Sequence, residues 1–203
     1  MMFFQDTRSI GIVFWIVVFL LLFNATILIC GALSEAWVVT PEYVIDERRF
    51  GLIIGLSSVI SAVFYGYNAN RMMCKKWPRI EVLRSYVLTV GFCTLIEGLG
   101  DSIALYLYAD EPEIAATEAI LTVIIAAIIM LVSKVIASGR KGIIKKIIWV
   151  ILVIAFVLMV VESLTPALNY WEYAINIAHM LIGFFMLSLI LDRDVRTEMG
   201  VIS

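Results

Sequence analysis

Apolar residues in this chain come in long runs separated by short polar patches, and the length of the runs decides the fold class. A helix rises about 1.5 Å per residue, so about 20 apolar residues cross the hydrocarbon core of a bilayer. Six stretches reach that length, at about 10–33, 50–69, 83–108, 114–137, 143–168 and 173–191. Helix breakers sit in the patches between them: Pro41 in the first, Pro78 and Pro112 in the next two, and Gly139 and Gly142 around the fourth. The pattern predicts an all-α integral membrane bundle of six transmembrane helices, with residues 1–203 forming a single domain.

Composition agrees. Of the residues, 63% are hydrophobic and 16% are charged, and the mean hydropathy is +1.02. That balance lies far from a soluble domain, and no polar stretch is long enough for an appended catalytic or nucleic-acid-binding module. Cys30, Cys74 and Cys93 form neither a CxxC pair nor a disulfide framework. His179 is the only histidine, which excludes bis-histidine haem ligation. The first apolar run exceeds the length of a signal-peptide core and is preceded only by Arg8 as a basic residue, so it reads as a retained helix.

Charge matters here through its distribution rather than its sum. The second loop region carries Arg71, Lys75, Lys76 and Arg79, with Arg84 just beyond. The fourth carries Arg140, Lys141, Lys145 and Lys146, with Lys134 just before. The third has Asp110, Glu111 and Glu113, the fifth has Glu172, and the first is mixed. Basic residues gather on the cytoplasmic side of membrane proteins. Loops two and four are therefore expected inside, loops one, three and five outside, and both termini in the cytoplasm. Topology alone accounts for these basic loops, and no nucleic-acid partner is implied.

Five ionisable residues interrupt the apolar segments: Glu97, Asp101, Glu118, Glu162 and His179. Charges inside a bilayer are costly and usually mark function. From the helix rise, Asp101 lies about 10 Å inside its helix end, Glu118 about 7 Å, Glu162 about 9 Å and His179 about 10 Å, with Glu97 one turn deeper than Asp101. Glu97 and Asp101 share a helix face, and Gly98 and Gly100 beside them allow close helix approach. Glu118 shares a face with Thr122, and Glu172, Asn176, His179 and Gly183 form a stripe expected to turn inward. Pro166 lacks an N–H, so the Glu162 carbonyl should lose its helical partner; it becomes either a ligand oxygen or a kink satisfied by Thr165 or water.

Four carboxylates and one imidazole without a basic residue at their depth suit a cation. The leading reading is an outward-facing site that binds or transports a small cation, a proton-coupled solute or a cationic metabolite. Asp101, Glu118, Glu162 and His179 are also the set that a divalent metal ion would use as cofactor. The alternative is a non-catalytic subunit of a larger membrane complex, with a membrane-protein partner or a second copy of the chain against its apolar faces and the polar groups acting as interhelical glue. A metal-dependent intramembrane enzyme ranks third, because no nucleophile or ligand motif appears. The expected location is the cell membrane.

Overall fold

The computed structural model describes residues 7–34, 47–74, 77–108, 112–139, 142–165 and 170–202. Every regular element among them is a helix: α1 (Thr7–Ser34), α2 (Glu47–Cys74), α3 (Arg79–Tyr108), α4 (Pro112–Ala137), α5 (Ile143–Glu162), α6 (Tyr170–Ile190) and α7 (Arg193–Glu198). Five of these, α1 to α5, are long and apolar enough to cross a membrane. Large apolar side chains are exposed along them, including Trp15 and Phe19 on α1, Leu121 and Ile128 on α4, and Ile147 and Ile154 on α5. Such faces are unfavourable in water and acceptable against lipid tails. They are the faces of an integral membrane protein.

Helix ends follow local chemistry. Pro112 opens α4, where its missing N–H is harmless, Glu113 lies in the first turn and Lys134 in the last, matching the helix dipole. Asp192 caps α7 by accepting from the Asp194 N–H at 3.0 Å. Four basic residues counted with the loop regions, Arg71, Arg79, Lys145 and Lys146, belong to helices. Arg71 lies in the last turn of α2, which continues to Cys74, and Lys145 lies in the first turn of α5. Lys145 is buried, and its ammonium donates to the Ile136 carbonyl at 3.1 Å.

Helix α5 stops at Glu162 rather than running to 168. Thr165 precedes a proline, a position that disfavours helical backbone. The Glu162 carbonyl is not left free. It accepts from the Thr165 N–H at 3.0 Å and from Thr165 Oγ1 at 2.7 Å. Thr165 thus satisfies the Glu162 carbonyl, which is not an open ligand. Pro166 itself, like most of the first loop with Pro41, lies outside the described residues, as do the side chains of Arg48, Arg49 and Glu172.

Two compact units make up the chain. The first comprises Met1–Val17, Tyr65–Leu88 and Leu131–Ser203, and the second Val18–Phe64 and Thr89–Met130. Bulky side chains fill the first. Ile10, Phe14, Met72, Leu83, Ile136, Ile182 and Met186 are almost wholly buried. Phe14 packs on Tyr65 at 5.5 Å and edge-on to Tyr86 at 5.7 Å, and Tyr86 continues to Phe156 at 5.9 Å. Helices α5 and α6 pack together with Gly183 against Val160, and the Trp149 indole donates to the Ile190 carbonyl at 2.9 Å.

The second unit is built differently. Its buried side chains are mostly small: Ala25, Ala32, Ala62, Cys93, Ala104, Ala115 and Ala126, with Ser57, Ser58, Ser61, Thr89, Ser102 and Thr122. Membrane helices associate through such residues because lipid supplies no hydrophobic drive, and close backbone approach gains dispersion contacts. A side chain added at Gly98 would run into Thr122 of α4, and one added at Gly100 into Ser57 of α2. The two glycines therefore set the spacing of α3 from its neighbours within this unit.

Candidate functional site

The small-residue core of the second unit holds three carboxylates. Cys93, Glu97 and Asp101 recur every fourth residue on α3 and lie on one stripe of that helix. Cys93 is buried, and Glu97 and Asp101 are half-buried. On α4, Glu118 is half-buried and shares its stripe with the buried Ala115, Thr122 and Ala126. The charged neighbours of Asp101 are Glu118 and Glu97, so α3 and α4 bring all three acids into one neighbourhood. No Lys, Arg or His occurs among the described side chains of this unit, so none of them neutralises these acids from within it.

Hydroxyls around the acids are mostly satisfied by their own helices. Ser57 Oγ donates to the Ile53 carbonyl at 3.0 Å, and Ser102 Oγ to the Gly98 carbonyl at 2.7 Å. Ser61 is the exception. Its side chain is 0% exposed and neighbours the Glu97 carboxyl and the Cys93 thiol, yet Oγ makes no hydrogen bond of regular geometry. A carboxylate beside a buried hydroxyl is an acceptor within its reach, so a small rotation of either side chain completes the bond. Sequence reasoning passed over Ser61. The signal was present: Ser57, Ser58 and Ser61 fall on one side of an otherwise apolar segment.

Glu162 and His179 belong to the first unit, apart from the three acids in the division of the chain. They are each other's charged neighbour, and both are exposed rather than turned into the helix pack. The inward stripe of α6 runs through Ala178, Ile182, Phe185, Met186 and Leu189, which are apolar and fit the apolar side of α5. His179 lies a helical step away from that stripe. The expected polar stripe therefore turns inward only in part: Gly183 is buried, Asn176 is half-buried and reaches the Thr165 carbonyl at 3.4 Å, and His179 is exposed.

Among the described residues, no group of three or more His, Cys, Asp or Glu side chains is close enough to hold a metal ion. A divalent metal shared by Asp101, Glu118, Glu162 and His179 accordingly finds no support in the geometry. Neither a protein family, a curated protein nor a solved structure matches the chain.

Proposed function

We propose that this integral membrane protein binds, and through binding transports, a proton or a small monovalent or organic cation at Glu97, Asp101 and Glu118. One observation carries the reading: three neighbouring carboxylates in a small-residue core, without a basic partner among the described side chains of their unit, beside the buried Ser61 hydroxyl. A proton or a singly charged cation relieves the mutual repulsion of the acids. A proton needs only a single carboxylate oxygen, whereas the described residues offer no group of three or more side chains for a metal ion. Ser61 Oγ is the oxygen that a bound cation or a protonated Glu97 would engage. Glu162 and His179 form a separate pair on this reading, with no part in the first binding step.

The proposal extends to topology. Helix α6 has 21 residues, enough for a sixth span, and the basic loop regions favour cytoplasmic termini. Cysteine accessibility from either side of sealed vesicles, read at single cysteines placed in the third and fourth loops of a cysteine-free variant, tests it.

The binding reading is tested by thermal unfolding of the purified protein while pH, sodium, potassium and choline are varied in turn. Binding to the folded state alone raises the melting temperature by mass action. At least one of these cations should stabilise the wild type and lose its effect in Asp101→Asn. Equal responses of the two proteins to every cation and to pH would overturn the proposal.

A further inference from the structure

A cavity of about 360 Å³ opens in the first unit where α2 ends and α3 begins, lined by Arg71, Trp77, Pro78, Glu81, Arg84 and Ser85. Of the arginines nearby, Arg79 is taken up by the Asp192 carboxylate. Arg84 leans on Glu81 at 3.2 Å. Arg71 has no carboxylate partner among the described residues. Its guanidinium instead lies 4.3 Å from the Trp77 ring centroid and 5.3 Å from that of Tyr67, and it donates to the Tyr67 hydroxyl at 3.0 Å.

Among the described residues, nothing neutralises the guanidinium that this arrangement holds in place. Two rings hold the guanidinium in place, and among the described residues it makes one hydrogen bond, to Tyr67, out of five possible donors. Arg84 adds a second positive group on the cavity wall, and Ser85 a hydroxyl. Two cations face one carboxylate, so the cavity carries a net positive charge. Its position is equally specific. Arg71 lies in the last turn of the apolar span Gly51–Cys74, and Arg84 near the start of the span Arg79–Leu107. The ends of membrane-crossing helices lie near lipid phosphates, and Trp is favoured at that level.

We infer that this cavity is a binding site for an anionic phosphate group, gripped by the Arg71 fork and the Arg84 side chain, with Trp77 as the platform that orients Arg71. The phosphate belongs either to an anionic membrane lipid or to a soluble phosphate monoester, since the recognising chemistry is the same. The site is independent of the acidic cluster, which lies in the other unit. A surface arginine kept only for membrane orientation would need neither a cavity nor an aromatic cradle.

The test is native mass spectrometry of the delipidated full chain, offered phosphatidylglycerol, phosphatidylcholine or glycerol 3-phosphate separately. The wild type should retain one phosphatidylglycerol in preference to phosphatidylcholine. Arg71→Gln should weaken that by about tenfold or more, the scale of a lost charge-assisted bond. Arg71→Lys, which keeps the charge but not the fork, should recover only part. Arg193→Gln, an exposed arginine on α7, serves as the control and should bind as the wild type does. Retention of glycerol 3-phosphate with the same dependence on Arg71 assigns the site to a soluble phosphate; retention that needs the acyl chains assigns it to lipid. Arg71→Gln binding like the wild type, or phosphatidylcholine binding as well as phosphatidylglycerol, overturns the inference. Circular dichroism of each variant separates loss of binding from loss of fold.

Discussion

Lys145, at 4% exposure, donates its ammonium to the Ile136 carbonyl oxygen 3.1 Å away, so the start of α5 caps the end of α4. The last carbonyls of a helix lack intrahelical partners, and a cation at that end also meets the negative pole of the helix dipole. Lys145→Met keeps the length of the side chain and removes the donor. It should destabilise the protein by about 1–3 kcal/mol, seen as a lower melting temperature in detergent. An unchanged melting temperature would show that the contact contributes nothing.

The Gly98–Thr122 approach makes a second prediction. Gly98→Ala places a methyl group against the Thr122 side chain and should cost about 1–3 kcal/mol by overpacking. Thr122→Ala in the same chain removes the atoms in the way, so the double variant should be more stable than Gly98→Ala alone. Strictly additive losses would mean that the two positions do not meet.

Asp192 has two tasks and Arg79 only one. Asp192 caps α7 and pairs with Arg79, whereas Arg79 contributes only the pair among the described residues. Asp192→Ala should therefore release α7 more than Arg79→Gln does, the cap alone being worth about 0.5–2 kcal/mol. Hydrogen exchange at residues 193–198 reads the difference directly. Equal exchange in the two variants would assign the docking of α7 to its buried Val195 and Met199 instead.

Ser61 separates a structural role from a binding role. Its buried hydroxyl makes no hydrogen bond of regular geometry, so Ser61→Ala should leave the melting temperature nearly unchanged when no cation is bound. If the proposed function holds, the same variant loses part of the cation-dependent stabilisation. A drop in baseline stability would instead identify the hydroxyl as ordinary interhelical glue.

His179 and Glu162 supply the contrast. Both are exposed and lie in the first unit. His179→Gln and Glu162→Gln should leave the cation response intact, whereas Glu118→Gln should diminish it. Loss of the response in His179→Gln would restore the imidazole to the site.

Much of this protein is determined by the sequence alone, and the reason is solvent. In a bilayer the backbone must satisfy itself, so an apolar run of about 20 residues becomes a helix whatever its neighbours do. The helices therefore fall close to the positions read from hydropathy, and the four-residue spacing of Cys93, Glu97 and Asp101 already places those residues on one face. The glycines at 98 and 100 likewise announced close packing. What hydropathy leaves open is the rotation of each helix, since a helix apolar on nearly every side has no strong preferred inward face. Packing decides that. It turns the side of α6 that carries Ala178 and Ile182 inward and leaves His179 outside, gathers Glu118 with the α3 acids, and brings Ser61 beside Glu97. It also gives Arg71 a pair of aromatic rings and Lys145 a helix end as specific neighbours.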